Sequence, residues 1–468
     1  MTKSIIIIML LIQAQCLSQH LKLEPYQFVS QAGDTVQAEK GAFKVLEDRR
    51  HGYSDSISLQ FIRFKSTNPN PASPIVYLSG GPGGSGSETA KGKRFELFMK
   101  LREVADVVAF DQRGTGLSHR LQPCPFSSEF EVAVPLKKAI YVEKTVETAQ
   151  KCITYWNDTF NLAAYNTMES ADDLDDLRQV LGVDSISLWG TSYGSHLAFE
   201  YIRRYESNVE RAVLSSLEGP NETIKLPKNT EDFVFKIATL AQHKYPDLID
   251  KIKIVHERLK FNPVTAPYTT RDGTIDTVGI SNFELQAAIA TFYLKNPNNS
   301  KQLPKLYAAL YEGDFSMIAE NVMIMKRYVF KRINTMSFAM DMQSGISPER
   351  KLEVASQIDT AILGSTINFL MYEWRDALNF NQLPATFRTI DSNTVRALLL
   401  SGSLDGRTYL SSAQDIAKKF KKSHHVIVEN AGHDLFMASD AVGDLILDFL
   451  RGKTITETKI LLDPILFD

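Results

Sequence analysis

The stretch Ser185-Ile-Ser-Leu-Trp-Gly-Thr-Ser-Tyr-Gly-Ser-His-Leu-Ala-Phe-Glu-Tyr201 decides the fold of this chain. Its first residues alternate apolar and polar as in a strand, and its later apolar residues recur at helical spacing. Between them, two glycines bracket Ser192 in the pattern G-x-S-x-G. A serine on such a strand–turn–helix junction projects its hydroxyl clear of the sheet. Ser192 is therefore the candidate nucleophile.

The five-residue pattern alone is weak evidence, because ordinary glycine and serine usage produces it by chance in roughly one of six chains of this length. Its context is more specific. A predicted strand ends just before the pattern, a helix begins inside it, and a candidate acid and base follow later in the chain.

Composition and charge limit the classes of function. The chain has 468 residues, 44% of them hydrophobic, and a net charge of −3. It is long enough for one large domain with an insertion or for two ordinary domains. No Lys/Arg run is longer than a few residues, so nucleic acid is not an expected partner. Substrates are expected to be small or peptidic.

Residues 1–18 are predicted to be a signal peptide. A cationic start precedes the apolar run 5–12, which is too short to span a bilayer, and small residues precede a cleavage site near Cys16 or Ser18. The chain is therefore expected to be exported, to the periplasm or the extracellular space, without a membrane span. A lipid anchor through Cys16 is the alternative, disfavoured because Gln15 is a poor residue to precede a lipidated cysteine.

Two cysteines remain after removal of the leader, Cys124 and Cys152. An even pair in an exported chain predicts a disulfide. The alternative is two buried free thiols.

A glycine-rich run follows the first buried strand. Alternating residues 43–48 and 56–64 predict antiparallel strands, and residues 75–79 predict a buried strand that ends in Gly80-Gly-Pro-Gly-Gly-Ser-Gly86. A phosphate cradle is disfavoured because no Gly-Lys-Ser/Thr follows. A plain flexible loop is a further alternative. The acyl-transfer interpretation uses N–H groups of Gly80 and Gly81, with that of Tyr193, to bind an oxyanion.

A second turn follows the next strand. Residues 104–110 predict a buried strand, after which Asp111-Gln-Arg-Gly-Thr-Gly-Leu-Ser118 turns sharply. Asp111 and Arg113 are expected to pair and to brace the glycine loops from beneath, as structural support. The alternative is a solvated turn.

The order of elements predicts an α/β fold. A helix capped at Ser170 and ended by Gly182 leads to the strand before Ser192, and residues 209–217 form another strand. This alternation of strands and helices predicts a mainly parallel sheet with helices on both faces. Residues 19–220 are thus the first part of a core. Residues 221–394, mostly helical as at 283–292 and 316–325, are predicted to form an inserted cap.

The sheet resumes in residues 395–468, the second part of the core. The strand at 395–400 leads to Asp405, the strand at 425–429 leads to His433, and residues 441–450 predict a closing helix. The apolar tail 459–468 has no assignment.

Ser192, Asp405 and His433 form the predicted catalytic set. They follow the chain order nucleophile, acid, base, and each lies on a turn after a strand. Strand ends at one edge of a parallel sheet face the same crevice. The competing residues fit structural roles better: they are His196, His424, His425, Asp415 and Asp434.

Four of these segments resemble one family. The runs Gly80-Gly-Pro-Gly-Gly, Asp111-Gln-Arg-Gly-Thr-Gly-Leu-Ser and Gly190-Thr-Ser-Tyr-Gly, with the turn Gly432-His433, resemble the prolyl iminopeptidase and tripeptidyl aminopeptidase group of α/β-hydrolases. The resemblance implies an α/β-hydrolase fold, hydrolysis of short peptides from the free N-terminus, and neither a metal nor another cofactor. Ser79 stands where that family often has histidine.

An aminopeptidase must also neutralise the ammonium group of its substrate, which requires carboxylates at the site. Glu218, at a strand end, and Asp341, in an apolar run, are the candidates. The alternative for Asp341 is a helix or turn cap.

The resulting hypothesis is an exported serine aminopeptidase that releases one residue or a short peptide through a Ser-His-Asp triad and an acyl-enzyme. A carboxylesterase that acts on small esters is the second hypothesis. A non-catalytic binding protein on the same fold is the third, disfavoured because a binding protein has no need of all three residue types.

Overall fold

The computed structural model describes residues 21–50, 54–378 and 380–467. The predicted signal peptide, residues 1–18 with Cys16, lies outside the described residues. Within them, no helix has the length and apolar character needed to cross a membrane.

The first part of the chain begins with antiparallel strands and then alternates strands with helices. In chain order the elements are β1 (Lys22–Val29), β2 (Thr35–Leu46), β3 (Ser56–Phe64), β4 (Ile75–Leu78), α1 (Gly86–Lys91), α2 (Phe95–Leu101), β5 (Val107–Asp111), α3 (Lys138–Asn157), α4 (Thr167–Val180), β6 (Ile186–Thr191), α5 (Tyr193–Tyr205) and β7 (Val209–Ser215).

The segment between β7 and the next strand of the main sheet is mostly helical. It contains α6 (Pro227–Leu240), α7 (Leu248–Phe261), β8 (Val264–Thr269), β9 (Ile275–Ile280), α8 (Asn282–Phe292), α9 (Pro297–Ser300), α10 (Leu303–Tyr311), α11 (Ser316–Ile324), a π-helical turn (Met325–Val329), α12 (Thr335–Ser344), α13 (Pro348–Ile358) and α14 (Met371–Leu378). The last part of the chain contains β10 (Asn393–Gly402), α15 (Leu410–Ala417), β11 (Phe420–Glu429), α16 (Asp440–Leu450) and β12 (Lys459–Leu461).

The main sheet has ten strands in the order β1-β2-β3-β5-β4-β6-β7-β10-β11-β12. The first three strands are antiparallel to their neighbours, and β5 onward run parallel. This is the predicted α/β-hydrolase fold, with β6 and the turn that carries Ser192 in the middle of the sheet. The tail that sequence patterns left unassigned supplies the edge strand β12.

The central strands are buried on both faces, which explains their continuous apolar sequences. Every residue of β4, β5 and β6 is buried. Successive side chains point to opposite faces, so Leu188 packs in one apolar cluster and its neighbour Trp189 in another. Helices therefore cover both faces of the sheet.

The start of α4 differs from the prediction. The helix begins at Thr167, not after Ser170, and the side chain of Asn166 accepts a hydrogen bond from the backbone N–H of Glu169 at 3.0 Å. Asparagine is a stronger N-cap than most residues and precedes Ser170 by a full turn, so it sets the helix start. The Ser170 hydroxyl is buried inside the helix instead.

A β-hairpin within the helical segment was not predicted. β8 and β9 pair antiparallel, and the chain turns between Thr270 and Thr274 through Asp272 and Gly273, whose φ is +86°. The Asp-Gly dipeptide is a hairpin signal. The two strands that flank this dipeptide are short and rich in polar residues. They lack the apolar run of a buried strand, so their sequences did not indicate strands.

Cys124 and Cys152 form the predicted disulfide, with their Cα atoms 5.3 Å apart. Cys152 lies on α3 and is fully buried, and Cys124 lies on the irregular segment before it, half-buried. The bond ties this segment to a core helix.

We expect Cys124→Ala to lower the free energy of unfolding by about 3 kcal/mol, because the bond closes a loop with a sequence separation of 28. Urea unfolding of the oxidised wild type and of the variant measures the loss. Mass spectrometry of the non-reduced protein is the control, and two free thiols in it, or equal unfolding midpoints, would contradict the prediction.

Candidate functional site

Ser192 lies on a sharp turn between β6 and α5. Its backbone has φ 55° and ψ −126°, a conformation that costs a residue with a Cβ roughly 1–3 kcal/mol. The Ser192 N–H donates to the carbonyl oxygen of Ser215 on β7 at 3.1 Å, which helps to hold the turn in place. The structure thus places the serine in the strained geometry that the G-x-S-x-G pattern predicts.

The two glycines around Ser192 are required by close backbone contacts. A Cβ on Gly194 would lie 2.1 Å from the carbonyl oxygen of Leu78, and one on Gly190 would lie 2.7 Å from the carbonyl oxygen of Gly194. Both distances are shorter than any tolerable contact, so only glycine permits α5 to start this close to β4 and β6.

A cavity of about 730 Å³ opens above the carboxyl ends of the parallel strands. Its walls come from the glycine run, from the turns after the strands and from the helical segment between β7 and β10. Among the residues that line it are Gly80, Gly81, Ser192, Glu218, Asp341 and His433. Apolar side chains of the helical segment form much of the opposite wall: Met325, Phe330, Ile333, Phe369, Met371 and Trp374.

His433 and Asp405 are hydrogen-bonded to each other. The Nδ1 atom of His433 lies 2.9 Å from Oδ2 of Asp405, and Asp405 also accepts hydrogen bonds from the hydroxyl and backbone N–H of Thr408 at 2.6 and 3.0 Å. Burial opposes ionisation of Asp405, but the interaction with His433 and these hydrogen bonds outweigh it, so its pKa lies below the usual value. An ionised Asp405 fixes a proton on Nδ1 and leaves Nε2 as the free base.

The backbone of His433 is fixed from two sides. Its N–H donates to the carbonyl oxygen of Lys295 at 3.0 Å, and its carbonyl oxygen accepts from the hydroxyl of Ser216 at 2.6 Å. Ser216 itself has φ 50°, at the turn after β7. The role of Ser216 was missed by sequence reasoning, and nothing in its local pattern indicates it.

The glycine run borders the candidate nucleophile, Ser192, directly. A Cβ on Gly80 would lie 2.9 Å from the carbonyl oxygen of Thr191 and 3.2 Å from Cβ of Ser192. Tyr193 is the first residue of α5, so its N–H has no acceptor within that helix. The Tyr193 side chain is turned away into the core, where its hydroxyl lies 2.9 Å from that of Thr167.

Asp111 and Arg113 do not pair with each other, which corrects the sequence-based prediction. The Asp111 carboxylate accepts hydrogen bonds from the hydroxyls of Ser85 and Ser87 at 2.7 and 2.6 Å and from the N–H of Leu117 at 2.8 Å. Asp111 therefore holds the end of the glycine run. This agrees with the structural support that was predicted for it, although its partners differ. Ser85, within that run, and Ser87, just after it, are thus the partners of Asp111 in place of Arg113.

Arg113 is paired elsewhere. Its guanidinium contacts both carboxylate oxygens of Asp173 on α4 at 2.7 Å and donates to the carbonyl oxygens of Glu47 and Ala164, both at 2.7 Å. Arg49 shares Asp173 from the other side at 2.7 Å. These partners are distant in sequence, so spacing could not indicate them.

Glu218 and Asp341 both line the cavity, as the amine-site hypothesis requires, but their environments differ. The Glu218 carboxylate contacts the Nζ atom of Lys225 at 2.6 Å. Burial opposes its ionisation, yet the charge of Lys225 and its hydrogen bond to the carboxylate outweigh the burial and hold the pKa of Glu218 below its usual value. Glu218 is therefore an ionised group that already has a basic partner.

Asp341 lies within α12, whose N-cap is Asn334, so it does not cap this helix. Among the described residues, no hydrogen bond or ion pair reaches its carboxylate. Burial and then the charge of Glu218 raise the pKa of Asp341 to about 8. A carboxyl with this pKa is mainly protonated at neutral pH, and a cation bound beside it would favour its ionised form.

The competing histidines are occupied by structural contacts. His196 is buried in α5, where Nδ1 lies 3.3 Å from the carbonyl oxygen of Gly219 and Nε2 lies 3.3 Å from the hydroxyl of Ser344. Burial lowers its pKa to about 4. His425 lies inside β11, with Nε2 2.9 Å from the hydroxyl of Ser401. Among the described residues, no group of three or more His, Cys, Asp or Glu side chains is arranged to hold a metal ion.

Two family models match the chain. One, described as alpha/beta hydrolase fold, matches residues 73–253, and the other, described as TAP-like protein, matches residues 374–459. The first covers the glycine run and Ser192, and the second covers Asp405 and His433. The matches agree with the resemblance found in the sequence and with the fold.

Three curated relatives illustrate the similarity. Serine protease Hip1 of Mycobacterium tuberculosis (strain ATCC 25618 / H37Rv) is 31% identical over 190 residues, which cover 39% of this chain and 36% of the relative. Tripeptidyl aminopeptidase of Streptomyces lividans is 29% identical over 156 residues, 31% and 29% of the two chains. Proline iminopeptidase of Saccharolobus solfataricus is 22% identical over 247 residues, 50% and 61% of the two chains. The match thus spans about a third of the length of the first two relatives.

We expect a fluorophosphonate probe to label this protein on Ser192 and not to label the Ser192→Ala variant, because the probe reacts with an activated serine hydroxyl. His433→Ala should slow labelling by at least about 100-fold, since the proton of Ser192 then has no acceptor. Ser356→Ala, at an exposed position of α13, is the matched control. Peptide mapping that finds the label elsewhere would contradict the assignment.

Proposed function

We propose that this protein, a chain of the α/β-hydrolase fold, is a serine peptidase that hydrolyses short peptides from their free N-terminus through an acyl-enzyme. One observation carries the proposal: an unpaired carboxyl, Asp341, faces the cavity that also holds Ser192 and His433. Relatives named serine protease, tripeptidyl aminopeptidase and proline iminopeptidase support a peptidase.

The first step of the proposed reaction forms the acyl-enzyme. Nε2 of His433 takes the proton of the Ser192 hydroxyl, whose oxygen attacks the carbonyl carbon of the substrate. Asp405, kept ionised by its hydrogen bonds, orients the imidazole and stabilises its charged form. The N–H groups of Tyr193 and of the Gly80–Gly81 loop stabilise the oxyanion.

Collapse of the tetrahedral intermediate completes this first step: His433 donates the proton it holds to the nitrogen of the leaving amine, the carbon–nitrogen bond breaks, and an ester on Ser192 remains. The second step hydrolyses this ester. A water molecule then enters, His433 takes a proton from it, and the hydroxide attacks the acyl carbon. The acid leaves with its free amine, and the Ser192 hydroxyl recovers its proton.

Asp341 is the better of the two candidates for recognition of the ammonium group. Glu218 already has the Lys225 ammonium at 2.6 Å, whereas the Asp341 carboxyl has no partner among the described side chains. An incoming ammonium supplies the positive charge that makes ionisation of Asp341 favourable. Glu218 keeps Lys225 as its partner and adds negative potential near Asp341.

The organisation of the chain follows from this function. Residues 19–220 and 395–468 form the catalytic core, and residues 221–394 form a cap whose apolar wall limits entry to short peptides. Residues 1–18 act as a signal peptide for export. The disulfide supports an exported location, because disulfides persist in oxidising compartments. No observation favours the carboxylesterase or the binding-protein alternative, since neither needs an unpaired carboxyl in the cavity.

Replacing Asp341 by asparagine should lower kcat/KM for free-amine amino-acid esters by roughly 10- to 100-fold, because a charge-assisted contact to the ammonium is lost. The loss for the matching N-acetylated esters should be less than about threefold. Steady-state kinetics with both ester series measure the difference.

Two further variants sharpen this test. Asp250→Asn, an exposed position on α7 with the same charge change, should leave both series unchanged. Glu218→Gln should lose less on the free-amine series than Asp341→Asn. Equal losses of Asp341→Asn on free and N-acetylated esters would remove Asp341 from amine recognition.

The kcat/KM ratio of free-amine to N-acetylated esters should have its maximum near pH 8. Below this pH both Asp341, whose pKa is about 8, and the substrate ammonium are protonated, so pairing must release a proton. Above it the α-amino group, whose pKa is also about 8, has lost its proton, so pairing must take one up. Ionisation of the triad affects both ester series equally, so it cancels in this ratio. A ratio that does not change with pH in the wild type, or a maximum retained by Asp341→Asn, would contradict the assignment.

A further inference from the structure

The cavity contains more cationic groups than its carboxylates can pair. Two are neutralised: Arg94 contacts Asp434 at 2.6 Å, and Lys225 contacts Glu218 at 2.6 Å. Four further cations line the same cavity and have no carboxylate partner among the described residues: Lys93, Lys295, Arg332 and Arg407. The mechanism above uses none of these four.

Two of the four cations lie beside the catalytic base. The backbone N–H of Arg407 donates to Oδ1 of Asp405 at 2.8 Å, and its guanidinium is half-buried and donates to the carbonyl oxygen of Ala290 at 3.2 Å. The carbonyl oxygen of Lys295 accepts the N–H of His433 at 3.0 Å, and its side chain is exposed. Both residues are thus attached to the part of the site that holds His433.

The carboxyl proposed to bind the substrate amine belongs to another element. Asp341 lies on α12, where the adjacent Met340 places its sulfur 3.5 Å from the Tyr193 hydroxyl at the start of α5. His433 must protonate the leaving nitrogen, so the leaving portion of the substrate lies on the His433 side. The unpaired cations Lys295 and Arg407 are therefore next to the leaving portion, and Asp341 is next to the amine end.

We infer that this protein recognises a carboxylate on the leaving portion of its peptide substrate, bound by Arg407 and Lys295. This inference rests on the proposed peptidase function. The two functional groups of such a substrate match the two charged regions of the cavity, an ammonium at Asp341 and a carboxylate beyond the cleaved bond. Lys93 and Arg332, both exposed at the cavity, add attraction at longer range.

The chemistry of the four side chains supports this choice of ligand. The planar guanidinium of Arg407 suits a carboxylate, which it can bind through two parallel hydrogen bonds. Its hydrogen bond to Ala290 restrains the side chain before substrate binds. Because Lys295 is exposed and Arg407 is half-buried, each contact contributes a factor of a few to affinity, or about tenfold together.

Three substrates with the same N-terminal acyl part test the inference. Their leaving portions are Ala-Ala with a free C-terminal carboxylate, Ala-Ala amide, and Ala-Glu amide. We expect kcat/KM for at least one carboxylate-bearing substrate to exceed that for Ala-Ala amide by about tenfold. Preference for the first identifies a C-terminal carboxylate as the ligand, and preference for the third identifies an acidic side chain; either result supports the inference.

Charge-neutralising variants connect the preference to the named residues. Lys295→Gln, at an exposed position, should reduce the ratio of carboxylate to amide cleavage by a factor of a few, and Lys295→Gln with Arg407→Gln should bring it close to one. Lys305→Gln, exposed on α10 and outside the cavity, makes the same charge change and should keep the wild-type ratio.

Two results would overturn the inference and leave the proposed function in place. In the first, the wild type cleaves Ala-Ala amide as fast as both carboxylate-bearing substrates. In the second, the double variant keeps the full wild-type preference for the carboxylate-bearing substrate over the amide. If the wild type cleaves none of the three substrates, the proposed function is itself wrong, and the inference fails with it.

Discussion

The contact of α5 with β4 is the constraint on which the rest of the site depends. The backbone at Gly194 comes so close to the carbonyl of Leu78 that a side chain there is excluded. The chain can enter α5 only through a tight turn, and Ser192 takes the positive φ of that turn. Its hydroxyl is thereby fixed at the edge of the sheet where β10 and β11 deliver Asp405 and His433.

The charged side chains that line the cavity are of two kinds, those already in an ion pair and those without one. Glu218 and Asp434 already have basic partners at 2.6 Å. Among the residues described, no ion pair reaches the carboxyl of Asp341 or the four cations Lys93, Lys295, Arg332 and Arg407 that also line the cavity. Burial and the charge of Glu218 raise the pKa of Asp341 to about 8, so a cation beside it would favour its ionised form. A peptide with an ammonium at one end and a carboxylate at the other would satisfy both kinds of unpaired group, which links the two proposals physically.

The sequence was sufficient for features set by local patterns. The apolar runs of β4, β5 and β6 and the turns after them predicted the sheet, because a strand buried on both faces needs such a run. It was insufficient where partners are distant: Arg113 pairs with Asp173 instead of Asp111, and Ser216 holds the backbone of His433. The start of α4 depends on the single residue Asn166, and the turn of the hairpin β8–β9 depends on Gly273. Patterns of apolar residues over longer windows do not reveal such single positions.

The most direct test of the account is the mass of the acyl-enzyme. A free-amine peptide ester is mixed with the protein, the reaction is quenched in acid within the first turnover, and the intact protein and its peptides are weighed. The account predicts the added mass of the N-terminal carboxylic acid product, less one water, on the peptide that carries Ser192. A fragment from the other end of the substrate, or its attachment to a different residue, would contradict it.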